Sequence, residues 1–246
     1  MGKNPDKLYY RKPELSRFMY YLINDIKALQ QMLDADLFEK DIQRIGAEQE
    51  LCLLDKTWRP APLSMQVLEK IDDPHFTTEH SRYNLEINLD PLKFGNDCLS
   101  ELEATLKSHL SKLEDVVKNL NGEIILVGIL PTIRRQDLRI ENLTPLRRYK
   151  LLGTIMRKLR GGPFEFRIEG MDELITRHDS IMFEGCNTSF QVHFQISPDK
   201  FVRCYNWALA IAAPVLAAAT NSPVLLGKRL WQETRIALFQ QSPIYS

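Results

Sequence analysis

Ile45-Gly46-Ala47-Glu48-Gln49-Glu50-Leu51-Cys52-Leu53-Leu54 alternates at the two-residue period of a β-strand. Gly46, Glu48, Glu50 and Cys52 share one face, and Ile45, Ala47, Leu51 and Leu53 share the other. The two acids would then lie roughly 6.5–7 Å apart, close enough to serve one ligand cluster and close enough to repel without one. This stretch alone fits either a solvated strand edge or a cation site. The rest of the chain must decide between them.

The same sidedness recurs. In Asn84-Leu85-Glu86-Ile87-Asn88-Leu89 the polar residues alternate with Leu85, Ile87 and Leu89. Glu165, Arg167 and Glu169 oppose Phe164, Phe166 and Ile168, and Ser189, Gln191, His193 and Gln195 oppose Phe190, Val192, Phe194 and Ile196. A one-sided antiparallel sheet covered by helices explains the apolar backs. Simple solvation would bring Lys, Ser and Thr to the fronts, whereas these carry mainly Glu, Asn, Gln and His, which ligate cations and form hydrogen bonds.

Helical spacing of apolar residues predicts helices at 13–39, 99–120 and 199–220 to cover the apolar side, with a shorter one at 63–71. Asn121-Gly122 stops the second long helix, and Glu123 to Leu130 reads as a buried strand. Trp207 to Ala219 is the most apolar run; it contains Pro214, is too short to span a bilayer, and is expected to be a buried, kinked helix. Between Pro131 and Gly162 basic residues dominate, so an excursion from the sheet is expected, ending in a helix before Gly161-Gly162. It reads either as a phosphate grip or as a solvated or oligomer-contact face. Beyond Pro223, the polar and aromatic segment 227–236 shows no closing element.

Composition narrows the class. The 246 residues hold 44% hydrophobic content and balance 32 basic against 32 acidic residues, enough for a large core and without a net field favouring nucleic acid or membrane. With Tyr149 as its only aromatic, the basic excursion lacks stacking platforms for nucleic acid. The four cysteines are scattered without metal-ligand spacing, and Met1 to Tyr10 lacks the apolar core of a secretory signal, so a cytoplasmic chain with reduced thiols is expected. Carboxylates, amides and one imidazole suit Mg²⁺ or Mn²⁺, which most often serve nucleotide phosphates. No P-loop is present, so metal ions and arginines would hold the phosphates, as in a sheet-based ATP-dependent ligase or kinase.

Several motifs, in order, resemble one family. They are Gly46-Ala47-Glu48-Gln49-Glu50, Glu79 to Glu86 enclosing Ser81-Arg82, Leu143-Thr144-Pro145-Leu146-Arg147-Arg148-Tyr149, Gln191-Val192-His193, and Asn221-Ser222-Pro223 with Glu233-Thr234-Arg235. Together they resemble the glutamate–cysteine ligase family and its bacterial carboxylate–amine ligase relatives over residues 44–240. The resemblance implies an α+β, glutamine synthetase-like domain spanning 1–246, with an antiparallel sheet funnel, helices on its apolar face and the segment 1–40 packed against it. It implies ATP-driven phosphorylation of a carboxylate, typically the γ-carboxylate of glutamate, and attack by an amine such as cysteine. The runner-up is a non-catalytic nucleotide- and metal-binding module of the same fold. Carried over, Glu48, Glu50, Glu79 and Glu86, with His193, are the candidate metal ligands. Gln191, Gln195, Arg147 and Arg148 are candidates for holding ATP, and Arg235 is the candidate catalytic arginine.

Two departures stand out. Gln191-Val192-His193 occupies the place of the family's His-x-His, which leaves the ligand between Gln191 and His193 open. Family members also run further, so the resemblance implies a fragment of a longer protein, with an exposed sheet edge favouring self-association into homo-oligomers. Small molecules, not membranes or nucleic acids, are the expected partners.

Overall fold

The computed structural model describes residues 12–160, 162–178 and 181–241. Met1 to Tyr10 and Gly161, read above as a signal-free start and half of a helix stop, lie outside these residues.

The elements run α1 (Lys12–Asp34), β1 (Arg44–Leu54), α2 (Ser64–Ile71), β2 (Phe76–Thr78), β3 (Asn84–Lys93), α3 (Cys98–Lys118), β4 (Glu123–Ile125), α4 (Arg147–Arg160), β5 (Phe164–Glu169), β6 (Glu173–His178), β7 (Phe190–Phe194), α5 (Phe201–Ala218), β8 (Val224–Leu225), β9 (Lys228–Arg229) and α6 (Thr234–Gln241). This is an α+β fold. Its main sheet is antiparallel, ordered β2-β3-β1-β4, with β7 also paired to β1.

Alternation makes the sheet two-faced, as the sequence predicts. Ile45, Ala47, Leu51, Leu53, Leu85, Ile87 and Leu89 are buried and pack against Val67 and Ile71 of α2 and Leu102, Leu113 and Val117 of α3. Asp55 organises the turn after β1, its Oδ1 accepting hydrogen bonds from the Thr57 and Arg59 amides. The α3 stop also forms as expected. Asn121 takes a positive φ of 57° and the Gly122 amide donates to the Val117 carbonyl at 2.9 Å.

A second core joins Tyr83, Leu138, Leu143 and Tyr149 to Phe166, Ile168 and Leu174 of the β5–β6 ribbon, and to Phe183, Leu225 and Leu238. The excursion after Pro131 is thus anchored. Arg59 donates to Asp137 at 3.0 Å, and a bridge joins Ser81 to Leu143. The β4 strand covers only Glu123–Ile125 of the predicted 123–130 stretch, although Ile129 and Leu130 are buried beyond it.

Three expectations require correction. First, α1 does not pack on the core: none of its described side chains is buried, and Leu15, Phe18, Ile26 and Leu29 are exposed. Second, α5 is not buried either, so the apolar back of β7 (Phe190, Val192, Phe194) lies open. The apolar helical run spans Pro198–Ala218, which by length and composition suffices to cross a bilayer and exceeds the run read from Trp207 to Ala219. Amphipathic spacing identifies the face a helix would bury and does not supply the surface to bury it against. Third, β5 pairs with β6 in a separate two-stranded ribbon, so its acids do not join the main sheet's polar face. They form a surface ladder instead: Arg177 contacts Glu165 at 2.9 Å, and Arg167 contacts Glu169 at 2.6 Å. Finally, the segment 227–236 runs through β9 into a helix, α6, that the sequence did not reveal.

Candidate active site

The register of the main sheet determines the site. β1 and β3 place Glu50 opposite Glu86 and Glu48 opposite Asn88, while β7 places Gln191 opposite Glu48 and His193 opposite Gly46. Glu79 follows the end of β2, held by its neighbours. The Thr144 hydroxyl donates to the Glu79 carbonyl, the Thr144 amide donates to the His80 carbonyl at 2.8 Å, and the Tyr149 hydroxyl donates to the Thr78 carbonyl at 3.1 Å. As a result Glu50, Glu79 and Glu86 each bring a carboxylate oxygen to within 4.8 Å of the others.

Three half-buried carboxylates at this separation cannot all ionise freely. Burial, then the neighbouring Glu79, pushes Glu50 up to about 7. Burial, then a hydrogen bond with Glu79, pushes Glu86 up to about 8. Burial alone would raise Glu79 too, but hydrogen bonds from His80 and Glu86 hold it below the usual carboxylate range. Glu79 and Glu86 are hydrogen-bonded to each other, and that contact holds one below and one above the ordinary range. The set is all oxygen, anionic and convergent, and fits Mg²⁺ or Mn²⁺ by donor chemistry.

Glu50 and Glu79 of the trio line a cavity of about 760 Å³, together with His80, Glu184, Gln191, Glu233 and Arg235 on its polar side and Leu126, Val127, Val215, Leu216 and Phe239 on its apolar side. Gln191 donates to Glu50 at 3.2 Å, and the Ser189 amide donates to the same carboxylate at 2.8 Å. Arg235 lies behind Ser189, donating to the Thr188 carbonyl at 2.6 Å and to Glu233. Glu233 also accepts from the Asn221 amide at 3.0 Å and the Ser222 hydroxyl at 2.6 Å. Burial would raise this acid, but the hydrogen bonds from Arg235 and Ser222 keep it low. Gly128 makes room for the arginine, since a Cβ there would stand 2.8 Å from Arg235 Nε.

The remaining predicted residues lie nearby or elsewhere. Glu48 faces His193 at 3.6 Å, and both line an adjoining cavity of about 400 Å³ together with Gln195. Gln195 is turned away from the trio, accepting from Arg44 at 3.0 Å and donating to Glu39 at 2.7 Å. Arg147 and Arg148 do not line the cavity. Arg148 donates to the Thr78 and Tyr149 hydroxyls and covers the Tyr149 ring, so it buttresses the segment that delivers Glu79.

Sequence reasoning passed over Glu233, although it stands inside a motif used for the resemblance, and His80, which neighbours Glu79. The buried His80 Nε2 has no hydrogen-bond partner, and its Nδ1 lies 3.4 Å from Glu79. Glu184 carried no signal of its own.

The family model described as Glutamate-cysteine ligase family 2 (GCS2) matches residues 44–245, which contain every one of these side chains. The chain belongs to this family. Membership in glutamate-cysteine ligase family 2 brings an enzymatic activity of the ligase type. No curated protein matches the chain.

Proposed function

We propose that this chain carries the site of an ATP- and Mg²⁺-dependent carboxylate–amine ligase, joining a carboxylate, in the first instance the γ-carboxylate of glutamate, to an amine such as cysteine through an acyl phosphate. The observation that carries the reading is the Glu50–Glu79–Glu86 trio, two of whose acids, Glu50 and Glu79, line a cavity that Arg235 also lines. These three acids would hold Mg²⁺ or Mn²⁺, with Glu48, Gln191 and His193 beside them. The ion, when bound, supplies charge neutralisation for phosphate oxygens.

The chain's own groups account for the remaining tasks. Glu86 and Glu50, pushed up by burial and by Glu79, would have to give up their protons to hold a cation, which would couple its binding to pH. Arg235, fixed by Glu233 and the Thr188 carbonyl, presents a positive charge to an anionic substrate group without reorganising. The apolar wall at Leu126, Val127 and Leu216 suits a nucleobase or an aliphatic chain and keeps water from an activated carboxylate. The resemblance supplies the glutamine synthetase-like funnel, the cytoplasmic setting and assembly as a homo-oligomer as parts of the same proposal.

A screen of amino-acid pairs for Mg²⁺-dependent ADP formation tests the reading. Turnover should require both a carboxylate donor and an amine, and should vanish in Glu48→Ala and Glu86→Ala with the fold retained. Unchanged turnover in either variant sinks the metal assignment. Nucleotide binding without amine-dependent ADP release would instead favour a non-catalytic binding module.

A further inference from the structure

A second cluster lies away from both cavities, where the loop between α2 and β2 meets the middle of α3. Asp73, His75 and His109 each bring one ligating atom to within 4.8 Å of the others. His75 Nδ1 lies 2.7 Å from Asp73 Oδ1, and its Nε2 lies 3.2 Å from Asp90 Oδ2 at the end of β3. Lys112 reaches Asp73 Oδ2 at 2.6 Å. This much is an ordinary charge network.

His109 is the surplus member. Its ring faces that of His75 at 4.8 Å between centroids and meets the edge of Phe76 at 5.5 Å, yet its nitrogens have no hydrogen-bond partner among the described residues. Nothing in the charge network requires an imidazole there. A divalent ion would use it, taking the place beside Asp73 that the Lys112 ammonium now fills.

We propose that Asp73, His75 and His109 form a second divalent-cation site distinct from the carboxylate trio. Two imidazoles with one carboxylate make a borderline donor set, which prefers Zn²⁺ and its first-row neighbours to Mg²⁺. Tetrahedral donors about 2 Å from an ion lie about 3.3 Å apart, so the widest gap here closes by roughly 1.5 Å, within the reach of side-chain rotation. The site would clamp α3 to the loop that leads into β2. Since β2 (Phe76–Thr78) lies directly between His75 and Glu79, the clamp holds the strand that delivers one acid of the trio.

The test uses the full chain in saturating Mg²⁺, which occupies the all-oxygen trio. Co²⁺ is titrated and its visible d–d bands are read. One Co²⁺ per chain with tetrahedral bands, displaced by Zn²⁺, is expected. His109→Ala and His75→Gln should each weaken Co²⁺ binding about tenfold or more, whereas Glu86→Gln keeps the bands. Lys112→Ala, which removes the competing ammonium, should tighten Co²⁺ binding and decides the matter if a histidine variant does not fold. Bands that persist in both histidine variants, bands lost in Glu86→Gln, or no Co²⁺ uptake beside Mg²⁺ would overturn the proposal.

Discussion

Replacing Glu50 by glutamine should stabilise the metal-free protein, and the gain should grow with pH. The native Glu50 carboxyl holds its proton up to about 7 because burial and Glu79 oppose its charge, whereas an ordinary glutamate titrates at 4.5. Between these values the native state binds more protons than the unfolded state. Its contribution is fully present below about 4.5 and is lost as the pH rises through about 7. At about 1.4 kcal/mol per pH unit the loss has a ceiling near 3.5 kcal/mol, and the water that still reaches the carboxyl reduces it to about 2 kcal/mol. Glutamine keeps the shape and can still accept from the Ser189 amide, while the Gln191 amide can turn its oxygen to the new NH₂ group. Thermal melts in EDTA should therefore show Glu50→Gln above the wild type by about 4–8 °C at pH 8 and by little at pH 5. Millimolar Mg²⁺ should raise the wild type and leave the variant in place. Equal melting temperatures at pH 8 in EDTA, or a gap that does not change with pH, would refute the account of Glu50 as a carboxylate strained by its neighbours.

Further outcomes follow from other contacts. Gly128→Ala should displace Arg235, since the new methyl would stand 2.8 Å from its Nε, and the expected result is a roughly tenfold or larger loss in kcat/KM with an intact circular dichroism spectrum. Asp137→Asn weakens the part-buried link to Arg59 and should cost about 2 kcal/mol in denaturant unfolding without moving the trio. Glu165→Ala on the β5–β6 ladder should change stability by under about 0.5 kcal/mol and leave ADP formation untouched. Removal of residues 1–34 should leave the melting temperature of the remainder unchanged, because no described side chain in that span is buried; a drop of several degrees would show that α1 contributes to the core.

Much of the main sheet was legible because strand alternation is a local property. The backs of β1 and β3 could be read from Ala47, Leu51, Leu85 and Ile87, and α3 from Leu102, Leu113 and Val117. What was not legible depends on partners distant in sequence. The spacing in α1 is as regular as that in α3, yet α3 finds a sheet face to cover and α1 does not. Glu79 comes into place through Thr144 and Tyr149, some 65–70 positions away, so its convergence with Glu50 has no short-range signal. His109 is one polar position on a helix until the fold brings His75 against it.

The polar faces of β3 and β5 show how sequence pattern and site part company. Both alternate acids with apolar residues, and by pattern alone they are equivalent. In the fold, Glu165 lies opposite Arg177, opposite charges that satisfy each other on an exposed ribbon. Glu50 lies opposite Glu86 with Glu79 converging on both, and like charges facing each other across adjacent strands destabilise a sheet. Such an arrangement is tolerable only with protons held to high pH or with a cation between the acids, and burial beside Glu79 pushes Glu50 and Glu86 toward the first of these. A ligand that brings positive charge is the second. The mark of the site is therefore the unbalanced register of its acids, a property of strand pairing that a count of acidic residues in each strand does not contain.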